Sequence, residues 1–329
     1  MANKPYIYVT RKIPESVISR LKNFAEVGMW NREETPIPRD ILLNEAKIAD
    51  ALLTMLSEKV DTELFEVSTN LKVVANLAVG FDNIDVEEAT KRKIVVCNTP
   101  DVLTDTTADL AFSLLLMTGR RLVEAVDVVR NGEWKSWSPY FLAGSDIHHK
   151  TLGIVGMGSI GEAVAKRALG FDMQVLYHNR NRKPETETKL GVEYASFDKL
   201  IKQSDYVLVL TPLTKETKGM FTKDVFKKMK KSAFFINVAR GPIAVESDLI
   251  WALKEGEIAG AGLDVFDQEP INQDHPLLHL DNVVALPHIG SASVETRTAM
   301  MKLCCDNILA VLNNEKPKTP VNKELFQKI

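Results

Sequence analysis

The chain has 329 residues, more than one ordinary core accommodates, so two domains are expected. With 45% hydrophobic and 26% charged residues it has a globular composition, and a formal charge of -3 leaves no field for holding a polyanion, so nucleic acid is not expected as a partner. The longest apolar run, Leu110 to Met117, falls far short of the roughly twenty residues of a membrane span. The first residues do not read as a secretory signal, and the three cysteines lack Cys-x-x-Cys spacing, so a cytoplasmic chain with reduced thiols is expected.

Short β-branched runs come first: YIYVT from Tyr6, ADALLTM from Ala49, LKVVANLAV from Leu71 and KIVVCN from Lys93, with helix-like stretches such as PESVISRLKNFA between them. That alternation predicts a parallel α/β sheet. From Thr99 to Trp134 the pattern predicts one long connecting helix, capped near Thr104 or Asp105. A second series follows, with strands in TLGIVGM, MQVLYHN, YVLVLTP, SAFFINVA, IAGAGLDVF and NVVALP, which predicts a doubly wound, Rossmann-like domain of six strands. Another long helix, capped by Ser291 or Ser293, runs to Asn314, and nothing after it suffices for a third domain. The expected fold is therefore two α/β parallel-sheet domains, Rossmann-like and flavodoxin-like. Residues 101–289 form a nucleotide-binding domain inserted into a substrate domain of 1–100 and 290–329, with substrate between the lobes.

Gly156, Gly158 and Gly161 follow an apolar strand and open a helix, the context a dinucleotide-binding turn requires. The first glycine permits the tight turn, the second the approach of a pyrophosphate and the third close helix–sheet packing, with Met157, Ser159 and Ile160 completing the cradle. The next strand ends in HNRNRK, where an NAD site would carry an acid for the ribose diol. His178, Asn179, Arg180 and Asn181 stand there instead. An arginine can pair with a 2'-phosphate that an acid would repel, so NADP(H) is the expected cofactor, with NAD(H) the alternative.

Three later stretches, NVARGPIAVESDLIWALKEG, GAGLDVFDQEP and VVALPHIGSAS, resemble the D-2-hydroxyacid dehydrogenase family, and within it the glyoxylate, hydroxypyruvate and 2-ketogluconate reductases. The resemblance covers nearly the whole chain, including NLAVGFDNID and LTDTTADLAFSLLL. It implies that Arg240 orients the substrate, that His288 is the acid/base and that Glu269 is its partner. It further implies that backbone N–H groups at Val79 and Gly80 bind the substrate carboxylate with Leu56 close by, that Val238 and Ala239 border the cofactor, and that Asp264 meets the nicotinamide amide. The residue types suit the chemistry independently: an arginine fork holds a carboxylate while polarising the adjacent ketone, and an imidazolium supplies the proton near neutral pH. No metal site is expected, because His275 and His279 are separated by Pro276 and lack the glutamate of a zinc helix. A homodimer is implied by the family and by the apolar helix at Leu110 to Met117, a helix that fits core within the chain equally well. The alternative function is a non-catalytic dinucleotide sensor like the corepressors that resemble this family.

Overall fold

The computed structural model describes residues 4–326. The chain divides into two compact units, one from the described residues up to Leu103 together with Ser293 onward, the other from Thr104 to Ala292. The breaks fall a few residues beyond the sequence boundaries at 100 and 289.

The first unit holds strands β1 (Tyr6–Val9), β2 (Glu26–Met29), β3 (Ala51–Thr54), β4 (Val73–Asn76) and β5 (Val95–Cys97), all parallel, in the order β2-β1-β3-β4-β5. That is the flavodoxin-like order. Every residue of β3, β4 and β5 is buried, as expected where helices cover both faces of a parallel sheet. β2, an edge strand of mostly half-buried residues, carries too weak an apolar pattern to stand out in sequence. Helices α1 (Glu15–Lys22), α2 (Arg39–Ala46), α3 (Thr62–Val67) and α4 (Val86–Lys91) connect the strands. Asp61 caps α3 by accepting the Leu64 N–H, and Asp85 caps α4 by accepting that of Glu88.

The second unit has α5 (Thr104–Gly119), α6 (Leu122–Arg130) and then the strands β6 (Thr151–Val155), β7 (Gln174–His178), β8 (Glu193–Tyr194), β9 (Tyr206–Val209), β10 (Phe234–Asn237), β11 (Gly260–Leu263) and β12 (Val283–Ala285). All seven are parallel, in the order β12-β11-β10-β9-β6-β7-β8, a doubly wound sheet with one short edge strand more than the sequence predicts. Helices α7 (Ser159–Leu169), α8 (Pro184–Leu190), α9 (Phe197–Gln203), α10 (Lys223–Phe226) and α11 (Glu246–Lys254) complete it. Along β10, Phe235 joins the core on one face while Phe234 and Ile236 join that on the other, the alternation a doubly covered strand imposes. The last helix, α12 (Val294–Leu312), belongs to the first unit, where it packs on α1 and β3 to β5. Ser293 is its cap, accepting the Thr296 N–H at 3.1 Å.

The single helix expected from Thr99 to Trp134 is instead two. α5 ends at Gly119, where any Cβ would sit 2.5 Å from Tyr206 Oη, and Arg121 then adopts a left-handed φ of 54°. The freed Gly119 carbonyl accepts the Ser145 N–H. Of the two roles open to Leu110 to Met117, the fold supplies the core one: Ala111, Phe112, Leu114 and Leu115 are core residues of their own unit. Among the described residues no helix is long and apolar enough to cross a membrane, and no group of three or more His, Cys, Asp or Glu is placed to hold a metal.

Candidate active site

The carboxyl ends of β10, β11 and β12 bring three of the predicted residues into one neighbourhood. β10 ends at Asn237, whose buried side chain braces the turn that follows: its Oδ1 accepts the Ala239 N–H at 3.1 Å and its Nδ2 donates to the Arg240 carbonyl at 2.9 Å. Val238 and Ala239 are buried, and Arg240 Nη1 donates to the Ala239 carbonyl at 2.7 Å. The next residue must be glycine, since a Cβ at Gly241 would lie 2.0 Å from the backbone carbon of Phe266. This close approach sets the Arg240 turn against the loop after β11, which carries Glu269.

Glu269 Oε1 accepts the Phe266 N–H at 3.0 Å, and Oε2 faces His288 Nδ1 at 2.6 Å. Burial alone would raise the Glu269 carboxyl, but the hydrogen bond from His288, its charge, the Phe266 N–H and the charge of Arg240 outweigh it and hold the group below the ordinary Glu value. The two side chains are 28% and 24% exposed, so the pair is neither sealed nor fully solvated. His288 Nε2 has no hydrogen-bond partner among the described residues.

His288 has a φ of 53°, uncommon for a residue with a side chain. Asp264, at the end of β11 and 1% exposed, secures that turn: its carboxylate oxygens accept the Ile289 and Gly290 N–H groups, each at 2.8 Å. Burial pushes its carboxyl up, with Glu269 adding to the rise, against those two donors and the charge of His288. Asp264 is thus committed to the histidine turn, a task the sequence did not signal.

At the end of β6, Gly156 has a φ of 108°, and a Cβ there would meet the Thr211 nitrogen at 2.6 Å. Nothing lies within 4 Å of where a Cβ of Gly158 would stand, and a Cβ at Gly161 would come 2.5 Å from the Gly156 carbonyl oxygen. The N–H groups of Ser159 and Ile160 have no acceptor among the described residues at the start of α7, leaving donors for an anion. A strained turn, an open front and free donors fit a dinucleotide. Met157 contributes differently from expectation: its side chain is fully buried, its N–H donates to Asn179 Oδ1 at 2.7 Å and its carbonyl accepts from Asn179 Nδ2 at 3.2 Å. Met157 and Asn179 therefore shape the turn by holding each other.

The basic turn after β7 separates into spent and available charges. Arg182 pairs with Glu187 at 2.6 Å and Lys183 with Glu162 at 2.7 Å, whereas Arg180 is exposed and has no hydrogen bond or ion pair among the described residues. Asn181 is exposed beside it. His178 Nδ1 donates to the Ala195 carbonyl at 3.0 Å, which fixes the ring against the sheet edge. In the first unit Leu56 is partly exposed in the loop after β3, and Val79 and Gly80 lie in the loop after β4.

Residues 112–290 match the family model described as D-isomer specific 2-hydroxyacid dehydrogenase, NAD binding domain. The chain is 51% identical to a glyoxylate reductase of Thermococcus kodakarensis, with 98% of each chain covered, and 48% identical to one of Korarchaeum cryptofilum at the same coverage. It is also similar to a solved NADPH-dependent glyoxylate/hydroxypyruvate reductase of Sinorhizobium meliloti, in complex with NADP and malonate. That likeness has a TM-score of 0.85 and 35% identity over 98% of each chain. The likeness runs through both units and through the strand ends that carry Arg240, Glu269 and His288, and the chain belongs to the D-isomer specific 2-hydroxyacid dehydrogenase family.

Proposed function

We propose that this protein reduces a small 2-oxo acid to the D-2-hydroxy acid, with glyoxylate the first candidate and hydroxypyruvate and 2-ketogluconate the larger ones. The observation that carries the proposal is the Glu269–His288 pair, bonded at Nδ1 with Nε2 unpartnered among the described residues. A bound reduced nicotinamide dinucleotide would supply the hydride. His288 Nε2 then gives the proton that the forming alkoxide needs, and Glu269 holds the ring in place through Nδ1. Arg240 holds the substrate carboxylate and polarises the ketone, a task suited to a planar fork with fixed donors. The loop at Val79–Gly80 receives the carboxylate through its backbone N–H groups, with Leu56 close by. In this reading Thr104–Ala292 is the dinucleotide unit and the other is the substrate unit. Purified protein should oxidise NADPH continuously with glyoxylate; binding of NADPH without turnover on any of the three acids would favour a sensor instead.

We assign NADP(H) as the preferred cofactor. Arg180 is the cation of the turn after β7 left without an ion pair among the described residues, and His178 offers the ribose diol no carboxylate. Arg180→Ala should weaken NADPH by about 1.5 to 3 kcal/mol, the range for a lost charged hydrogen bond, and leave NADH nearly unchanged. His178→Asp should act in the opposite direction, by repelling the phosphate and accepting from the diol. Equal losses for both cofactors in Arg180→Ala would remove this assignment.

We also propose a homodimer, with its interface on α6 and the segment after it. No residue of α6 is buried, and Val123, Val126, Val129, Trp134, Trp137 and Tyr140 are exposed, an apolar surface of the kind that a partner covers. Sedimentation of the wild type against a Val126→Asp, Trp137→Asp double variant tests this; a wild-type monomer would reject it.

A further inference from the structure

In the first unit the strand order reverses between β1 and β3, and the crevice beyond their carboxyl ends is where an open parallel sheet ordinarily takes its ligand. Here the chain fills that crevice itself. Glu58, 4% exposed, accepts Thr10 Oγ1 and the Met55 N–H on one oxygen, each at 2.6 Å, and Arg11 Nη2 at 3.0 Å and Ser57 Oγ at 2.7 Å on the other. Four donors saturate the carboxylate and bend the chain after β3 into a loop that leaves Leu56 partly exposed.

The loop after β4 is held by its carbonyls. Thr99 N–H donates to the Ala78 carbonyl at 2.9 Å, Asn98 Nδ2 to that of Val79 at 2.8 Å and Asn76 Nδ2 to that of Gly80 at 3.0 Å. A trans peptide is planar with its C=O and N–H opposed, so pinning the Ala78 carbonyl aims the Val79 N–H and pinning the Val79 carbonyl aims that of Gly80. Those two N–H groups have no acceptor among the described residues. Asn83 joins the loops: its Nδ2 donates to the Glu58 carbonyl at 2.9 Å and lies 3.2 Å from that of Met55, and its Oδ1 accepts from Asn76 Nδ2 at 3.1 Å.

We propose that Asn98, Asn76 and Asn83 are positioning residues for 2-oxo acid binding: Asn98 aims the Gly80 N–H, Asn76 anchors the peptide that follows it, and Asn83 ties the Leu56 loop to this one, none of them touching the substrate. The proposal rests on the assignment of the Val79–Gly80 loop to the substrate carboxylate. Asn98→Ala frees the Val79–Gly80 peptide to rotate, and Asn83→Ala uncouples the loops. Each should raise the KM for glyoxylate at least about tenfold, with kcat changed less than threefold and the NADPH dissociation constant unchanged.

Amide NMR of the NADP-saturated wild type with added oxalate separates the two levels. Shifts at Val79 and Gly80 together with the raised KM values support the proposal. Absence of those shifts in the wild type overturns the loop assignment and the positioning role with it. Shifts in the wild type with unchanged KM in both variants overturn the positioning role alone, as does a parallel rise in the glyoxylate KM and the NADPH dissociation constant, which would mark a general disturbance.

Discussion

His288 with Glu269 and His275 with Glu246 are the same side-chain types at similar separations, 2.6 Å and 2.9 Å, within one compact unit. Their second ring nitrogens differ. His275 Nδ1 accepts the Leu277 N–H at 3.3 Å, so its proton lies on Nε2 toward Glu246, and both nitrogens are used in capping a short 3-10 turn and fastening it to the start of α11. His288 uses one nitrogen on Glu269 and keeps the other available. The backbones differ as well: His275 has an ordinary extended φ of -67°, while His288 is left-handed and held there by the bonds to Asp264. A non-glycine residue in that region costs on the order of 1 to 3 kcal/mol, and the two bonds to Asp264 hold the turn there. A histidine–carboxylate pair is thus no sign of catalysis in itself; an unpartnered second nitrogen on a secured turn is what supports the role proposed for His288.

The sharpest way to break this comparison is to remove each histidine. His288→Asn should lower kcat/KM for the 2-oxo acid by about 10²- to 10⁴-fold, the range for general acid–base catalysis, without loss of NADPH binding. Comparable activity in the variant and the wild type would make the two pairs equivalent. Arg240→Lys comes next, since a point ammonium cannot reproduce a fork on carboxylate and carbonyl. A loss of at least about tenfold in kcat/KM is expected, and one below about threefold, roughly 0.7 kcal/mol, would remove Arg240 from the site.

The carboxylates should then separate by activity. Glu269 Oε2 holds His288 Nδ1 at 2.6 Å, so Glu269→Gln should lower kcat/KM by at least about tenfold, while Glu246→Gln leaves it within about threefold. Equal activities in the two variants would refute the partnership. Stability carries a pH signature. Glu269 is held below the ordinary Glu value, so its pairing contributes above that value and is lost as pH falls through the lowered one. Acid unfolding of Glu269→Gln should therefore show a shallower dependence across that window. The smallest effect belongs to His275→Asn, whose Oδ1 can still accept the Leu277 N–H. Activity should stay within about threefold, and unfolding should lose about 1 kcal/mol for the broken bond to Glu246, read from denaturant midpoints.

Much of this molecule was legible because the signals are local. Buried β-branched runs such as Val73–Asn76, caps such as Ser293 and the glycine turn at Gly156 each declare themselves within a few residues. Arg240, Glu269 and His288 stand in stretches that resemble the family's motifs, and those stretches follow neighbouring strands of one parallel sheet, so their convergence followed from the topology. The break at Gly119 was missed because nothing in GRRL forbids helix; the fold shows it in the left-handed Arg121 and in the Gly119 carbonyl, which accepts the distant Ser145 N–H.

What the chain alone determined was the alternation of strands and helices, the number of α/β units and the residue types available at each strand end, because periodicity, propensity and glycine conformational freedom act between neighbours. The tertiary structure decided which donors and acceptors remain unspent. Arg182 and Lys183 are as basic as Arg180 in sequence, yet they are consumed by Glu187 and Glu162. Asp264 is one aspartate among many in sequence, and the fold brings the turn of His288 to both of its oxygens. Asn83 is an ordinary loop asparagine until the fold sets it beside Glu58 and Asn76. The Arg182–Glu187 pair is local, five residues apart, but Lys183 with Glu162, Asp264 with Ile289 and Asn83 with Glu58 are partners more than twenty residues apart, and only folding brings those atoms within 3 Å.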